Sequence, residues 1–569
     1  MNLTPEQQAE AKAEFLRVSR RDFMVASTAA VATAAVSTGA FYFNYGAAHG
    51  APVRVAVLGT GDEGNVLIGS INPDYVEVRA IADIRPYNVF RAFHGDNSND
   101  NIIKVRRGLM NVYGWKTEDE ARKHVKVYGD FLECLDHAKE DGIEAVIIGL
   151  PLHLHAPAAI AAMSRGLHVL TEKLMGRSTA VCKEMARVSQ QTGKFLATGH
   201  QRHYNILYEE AMETIKRGTL GELHYIRAQW HRGNMPGTDS WQMPMPYDAK
   251  PNDPQALKLL QNLKSQMVKL NQAKGAEIEK WALRVEQTKK QIEDATVDAA
   301  KFGYQENILK DTDGTEYVCS PLEELIRWRL WGRTGGGLMV ELGSHQLDAA
   351  SIFISALHGG KHQHPISVAA SGYRNLFPFD RDTNDHVVCA FEFPMPGYDP
   401  KDAQLAKRKI GVQYATINGN GFGGYGEVVY GTKGTLILLK EEEALLLRKD
   451  TASKVAAGAS AGPTMDTQSS GASQAAVAAG PTRKVSRGYT EEIEHFAWCI
   501  KNPSPENQPR CNPEVAMGDA IIAHVTNMSA LDSKRIYFKD EWFQIASDET
   551  PEGDAPAVDI AKKYEKYVA

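Results

Sequence analysis

Cysteine is scarce and scattered in this chain: six residues in 569, at positions 134, 182, 319, 389, 499 and 511, with no CxxC pair among them. That spacing excludes a disulfide framework or a zinc ribbon as the organising principle. A basic excess is also absent. The formal net charge is -6, which removes the electrostatic reason to expect nucleic acid as a partner. Long apolar runs are lacking too, apart from one at residues 23–43, so no other stretch is long enough to span a bilayer. What remains is ordinary globular composition, 43% hydrophobic and 24% charged. The length is too great for a single core and predicts two or more domains.

The exceptional apolar run is uncharged from Phe23 to Phe43 and follows Ser19-Arg20-Arg21-Asp22-Phe23-Met24. It resembles a twin-arginine export signal, a route that moves proteins already folded. Residues 1–50 are therefore expected to engage the Tat export machinery and to place the protein in the periplasm. Gly46-Ala47-Ala48 is the candidate cleavage site, and an uncleaved membrane anchor is the alternative. An ordinary capped, buried helix is the competing reading.

The informative stretch follows directly. Val53 to Leu58 is a β-branched run that ends in Gly59-Thr60-Gly61-Asp62-Glu63-Gly64 and enters an amphipathic segment, which reads as strand, tight turn and helix start. This is a dinucleotide-binding fingerprint. Gly59 permits the turn, Gly61 lets backbone approach a pyrophosphate, and Gly64 lets helix and strand pack closely. A second strand, Val76 to Ala82, ends in Asp83, where a carboxylate would bond a ribose hydroxyl and disfavour a 2′-phosphate. NAD is therefore expected, with Arg85 offering a route to NADP.

Strand and helix patterns alternate onward through Val125-Tyr128, Ala145-Gly149, Leu167-Thr171 and Phe195-Thr198, which predicts a parallel sheet over 52–200. Strand ends of such a sheet face the ligand crevice. Leu150, Pro151 and His155 after one strand, and Glu172 with Lys173 after the next, join Thr60 and Glu63 of the glycine loop as candidate cofactor contacts. Residues 201–545 read as a second domain. It carries a helical hairpin at 253–302 turning near Gly275, a low-complexity Ala/Gly/Ser/Thr loop at 451–487, and strands beyond Gly335 with no helices between them, hence a largely antiparallel sheet. Residues 546–569 read as a tail.

Two groups carry candidate chemistry. A lysine amine at the end of a crevice strand, Lys173, can hold a substrate hydroxyl beside a nicotinamide, although a Glu-Lys pair is often a solvated ion pair. Glu341 and His345, four apart on a predicted helix, suit a general base and the carboxylate that orients it. A Glu and a His at that spacing also bind zinc, with His153 and His155 as further donors, yet no third ligand in a recognisable spacing appears and metal is not expected. Arg202, Tyr204 and His231 follow the last strand of the first domain and are candidate substrate contacts.

Gly59 to Gly64, Pro151 to His155, Glu172-Lys173, Gly199-His200-Gln201-Arg202, Glu341 to His345 and Tyr430 to Thr435 together resemble the Gfo/Idh/MocA oxidoreductases, the glucose-fructose oxidoreductase and inositol dehydrogenase family. The resemblance implies a Rossmann domain and a C-terminal α/β domain whose open, largely antiparallel sheet faces the active site and builds homo-oligomers. It implies nicotinamide-dependent chemistry on a sugar or polyol, with the family's lysine at Lys173 and its Asp-x-x-x-His pair at Glu341 and His345. Two positions depart from the family pattern: Leu174 replaces the proline after the lysine, and Glu341 replaces the aspartate. The same residues would serve a redox-neutral glycoside hydrolase or lyase working through a transient keto-sugar, and a non-catalytic carbohydrate-binding protein could share the fold.

Overall fold

The backbone needs of the glycine loop set the first domain. A computed structural model describes residues 3–14, 42–46, 50–246, 253, 255, 257–448 and 487–568. Residues 15–41 of the proposed export signal, Arg20 and Arg21 included, and the low-complexity loop up to residue 486 lie outside them. In the first domain β1 (Val53–Leu58), α1 (Asp62–Ser70), β2 (Val76–Ala82), α2 (Pro86–His94), β3 (Lys126–Tyr128), β4 (Ala145–Ile148), α3 (His155–Ser164), β5 (His168–Glu172), α4 (Thr179–Thr192) and β6 (Leu196–Gly199) follow one another. The six strands are parallel in the order β3-β2-β1-β4-β5-β6. That is the Rossmann order, with its switch point between β1 and β4. The central strands are buried on both faces, as β-branched runs between helical layers must be.

The second domain begins with β7 (Leu223–Arg232). The expected helical hairpin follows as α5 (Lys258–Gln272) and α6 (Ala276–Glu293), turning at Gly275. It docks on α2 of the first domain: Gln287 accepts from the Asn97 N–H at 2.7 Å and donates to Asp96, and Arg284 donates to the Asn97 carbonyl. A short hairpin, β8 (Asn307–Lys310) and β9 (Glu316–Cys319), comes next.

The helix α7 (Ser344–Leu357) precedes strands β10 (Ser367–Tyr373), β11 (His386–Pro394), β12 (Lys409–Asn418), β13 (Tyr425–Gly431), β14 (Gly434–Leu439) and β15 (Glu443–Arg448), and the chain closes with α8 (Tyr489–Lys501), α9 (Pro513–Asp532) and β16 (Ile536–Tyr537). The eight-stranded sheet runs β15-β14-β13-β7-β12-β11-β10-β16. It is antiparallel except where β12 pairs with β7 in parallel, because the strand that opens the domain is inserted into the middle of the later meander. Alternate residues of β11 and β12 are buried, so one face packs on α7 and α9 while the other stays open.

The C-terminal residues are docked rather than trailing. Glu184 of α4 accepts from the Ala557 N–H, Lys563 Nζ and the Tyr564 hydroxyl, and Ile560 and Tyr564 are buried. Lys183, fully buried, donates to the carbonyls of Glu541, Ser547 and Glu549 at 3.0, 2.9 and 2.7 Å. Lys183→Met removes the donor shared by three carbonyls, each costing on the order of 1 kcal/mol if left unpaired. The expected outcome is a lower thermal midpoint and faster limited proteolysis within 541–549; unchanged proteolysis would show that Lys183 does not hold the segment.

Candidate active site

The two sheets meet at a cleft of about 2960 Å³. Its floor on the first domain is the glycine loop. Gly59 sits at φ +84°, and a Cβ there would lie 2.8 Å from the Gly149 carbonyl and the Leu150 nitrogen. A Cβ at Gly64 would lie 2.1 Å from the Gly59 carbonyl oxygen. Both glycines are thus demanded by the protein's own packing. Gly61 is different: a Cβ there meets only Asn88 Nδ2, at 3.7 Å. The space beside it, at the N-terminus of α1, fits a pyrophosphate.

Asp83 accepts from the Thr60 and Arg85 N–H groups at 2.8 and 2.9 Å and from Asn88, and it lines the cleft at the ribose position. Arg85 also lines the cleft. Its guanidinium is buried against Asp294, at 2.8 and 2.9 Å, beyond the end of α6, so a 2′-phosphate would have to share it with a buried carboxylate.

Leu150, Pro151 and Lys173 line the cleft as expected, as do Glu63 and Glu172. Thr60 contributes through its bonds to Asp83. His155 reaches the cleft wall, where its two ring nitrogens face the carbonyls of Leu174 and Leu150 at 2.7 and 2.8 Å. Burial lowers its pKa, so the neutral ring, with a single N–H, donates to one of the two carbonyls at a time. Glu172 is pushed upward in pKa, chiefly by burial and then by Glu63.

Lys173 Nζ donates to the Glu341 carbonyl at 2.8 Å, which joins the two domains at the cleft. Residues Met339–Gly343 form a π-turn, with the Ser344 N–H bonded to the Met339 carbonyl, before α7 begins. The Glu341 carboxylate accepts from Arg329 Nε at 3.0 Å and makes no hydrogen bond to His345. Burial opposes its charge, but Lys173, Arg329 and Arg232 outweigh it and hold the pKa low. The expected orienting contact on His345 is therefore absent, and Glu341 is available to a ligand hydroxyl. His345 is 8% exposed, has no partner at Nδ1 and packs on Trp230 at 5.3 Å between ring centres. Burial first, then Lys173 and Arg202, drive its pKa well below 6.5, so the imidazole is neutral and able to accept a proton.

Two expected substrate contacts belong to the core instead. Arg202, 1% exposed, binds Glu441 at 2.8 and 2.9 Å and faces Glu427. The Tyr204 hydroxyl is buried between His495 Nδ1 and the Arg510 N–H, both at 2.8 Å. His231 does line the cleft, with Nδ1 unpartnered. Arg329, which with Arg232 surrounds Glu341, escaped the sequence reading. Its signal was weak, since an isolated arginine in a loop is usually solvated. Gly61→Val places a side chain where the protein leaves space, so dinucleotide affinity should fall at least about tenfold with the thermal midpoint of the ligand-free protein nearly unchanged; full affinity in a fluorescence titration would contradict the pyrophosphate assignment.

Residues 53–200 match the family model of the Gfo/Idh/MocA oxidoreductases, described as having an NAD-binding Rossmann fold. A glycosyl hydrolase family 109 protein of Stenotrophomonas maltophilia (strain K279a) is 29% identical over 216 residues, 37% of this chain and 42% of that protein. The 1-carboxy-3-chloro-3,4-dihydroxycyclo hexa-1,5-diene dehydrogenase of Comamonas testosteroni is 35% identical over 102 residues, 18% of this chain and 25% of that protein. The aligned stretches thus span less than half of either relative's length. An inositol dehydrogenase homolog from Azotobacter vinelandii, solved with NADH and myo-inositol, shares the fold with a TM-score of 0.52 at 12% identity, over 86% of this chain and 98% of that one. With the open space beside Gly61 and the carboxylate at Asp83, residues 53–200 form a Rossmann domain similar to the NAD-binding domain of the Gfo/Idh/MocA oxidoreductases.

Proposed function

We propose that the protein is an exported oxidoreductase that transfers a hydride between a hydroxyl-bearing carbon of a sugar or polyol and NAD held in the cleft. The observation that carries this reading is the convergence of the Gly61 loop, Lys173 and His345 on one cleft. NAD, when bound, supplies the hydride acceptor. The neutral His345 removes the hydroxyl proton, and the Lys173 amine, held at the seam by the Glu341 carbonyl, donates to the substrate oxygen as negative charge builds there. Glu341, fixed by Arg329, and His231 accept neighbouring hydroxyls.

The periplasm offers no obvious pool of free nicotinamide, so an exported enzyme has to carry its NAD with it and regenerate it in place. The α5–α6 hairpin, which closes over α2 and occupies Arg85, is suited to that retention. The open face of the second sheet, where Tyr373 and Val388 are exposed, is the surface for homo-oligomers. The glycosyl hydrolase relative favours one second reading, redox-neutral cleavage of a glycoside: oxidation at one carbon acidifies its neighbour, elimination expels the aglycone as its alcohol, water adds to the resulting unsaturated ketone, and the hydride returns to the keto carbon. The same residues serve both.

The deciding experiment denatures the protein, purified from an export-competent host, and measures released NAD by mass spectrometry, then mixes the holoprotein with sugars, polyols and glycosides. Net reduction of bound NAD supports the first reading; aglycone release without net reduction supports the second. Lys173→Met should lower turnover at least about 100-fold in either case while bound NAD is retained. Turnover unaffected by this change would remove Lys173 from the mechanism.

The depressed pKa of His345 gives a pH prediction. Below 6.5 the unfolded chain takes up a proton that the folded site refuses, so His345 costs stability as pH falls, yet the base stays neutral. The acid limb of kcat/KM attributable to His345 should accordingly fall well below pH 6.5, and a His345→Gln variant should lose turnover without losing NAD. A limb centred at 6.5 would indicate a solvated base elsewhere.

A further inference from the structure

We infer that His200, Cys511 and Asp519 form a buried site for a zinc-class divalent cation, with Asp348 orienting the histidine. His200 follows the end of β6, Cys511 immediately precedes Asn512, the N-cap of α9, and Asp519 lies within α9. The Thr198 N–H bonds the Cys511 carbonyl at 3.1 Å, which brings the segments together. One donor atom from each of the three lies within 4.8 Å of the others, and all three residues are at most 1% exposed.

The polar atoms in this pocket are unpartnered in a way that calls for an ion. Among the described residues neither ring nitrogen of His200 has a hydrogen-bond partner, although buried polar groups nearly always have one, and the Asp519 carboxyl has none beyond its side-chain contact with Asp348. His200 Nε2 faces Asp519 Oδ2 at 3.9 Å, and Nδ1 faces Asp348 Oδ2 at 3.7 Å. These gaps are too long for hydrogen bonds. Two ligands sharing a tetrahedral zinc with bonds of about 2.0–2.1 Å sit roughly 3.4 Å apart, so the Nε2 to Asp519 gap is close to what a shared ion imposes.

The surroundings supply the orienting partner. Asp348 Oδ1 accepts from His203 Nε2 at 2.7 Å, which leaves Oδ2 to receive the Nδ1–H of His200 once Nε2 is committed to the ion. Carboxylate, histidine and metal in series is how proteins fix the tautomer of a ligating imidazole. Asp519 Oδ1 faces His362 Nε2, also unpartnered, at 3.9 Å, a further donor on the same pocket. Mixed nitrogen, sulfur and carboxylate donors select zinc over magnesium or calcium.

None of the three ligands lines the cleft, so the ion is structural. It fastens the end of the last Rossmann strand to α9 and, through Asp348 on α7, steadies the helix that begins beside His345. The test uses the full chain purified from zinc-supplemented culture, with metal content by elemental mass spectrometry and anomalous diffraction at the zinc edge. About one zinc per chain, with its peak between His200 and Asp519, is expected. Asp519→Asn and Cys511→Ser should each lose most of the metal while still releasing NAD on denaturation, and chelator should lower the thermal midpoint of the wild type but not of the variants. If Asp519→Asn does not fold, Cys511→Ser gives the answer. Background metal in the supplemented wild type, or undiminished metal in Cys511→Ser, overturns the assignment and leaves water or a proton shared between Asp348 and Asp519 to fill the pocket.

Discussion

Burying ionised groups where two domains meet is the constraint on which this molecule depends. A charge taken from water is tolerated only with partners close by, and most charges near the seam have them. Arg202 is neutralised by Glu441 and Glu427, Arg381 by Asp239 and Asp380, and Arg327 by Asp253 and Glu323. The first cluster ties the segment that follows β6 to the second sheet, and the other two brace segments within the second domain. Among the described residues, Glu63 and Glu172 by the cofactor loop, His345 and His231 in the cleft, and His200 with Asp519 behind it each keep a buried polar atom without a hydrogen-bond partner, as do Glu492 and His524 elsewhere. Those in the cleft face space that a ligand can enter.

The helical hairpin follows the same logic. A Rossmann domain of this kind needs only Asp83 to recognise a ribose, yet here Arg85, two residues on, is drawn into a buried pair with Asp294. That pair does two things at once. It fastens the inserted hairpin over the edge of the nucleotide crevice, and it engages a cation that lines the same crevice. One ion pair thus couples the hairpin to the residue that follows the ribose carboxylate. Tyr304 extends the cover, its ring meeting His153 edge-on at 5.4 Å.

How far the sequence could be read depended on whether the governing contacts were local. The glycine loop was readable because its demands arise within a few residues of backbone: Gly59 at positive φ, Gly64 against the Gly59 carbonyl. The helical hairpin turning at Gly275 was readable because helical periodicity is local too. The parallel β7–β12 pairing was not, since nothing in either strand encodes insertion into a later meander. Arg202 and Tyr204 follow the last Rossmann strand, where ligand contacts belong, but their partners Glu441 and His495 lie far along the chain. His155 was placed correctly and its role missed, because two carbonyls facing one imidazole cannot be seen in a sequence.

The Glu341–His345 pair shows the limit most clearly. Four residues apart on an ideal helix, the two side chains would share a face, and a carboxylate orienting a base is the natural inference. The chain instead takes a π-turn from Met339 to Gly343, with a five-residue bond from the Ser344 N–H to the Met339 carbonyl. Turns of this kind are uncommon and cluster at functional sites. Here the Glu341 carbonyl accepts from Lys173 while its carboxylate swings to Arg329. One irregular turn thereby links the amine of the first domain to the second and leaves His345 without an acidic partner. Lacking a carboxylate to stabilise its protonated form and crowded by Lys173 and Arg202, the imidazole remains neutral, the state a proton acceptor requires.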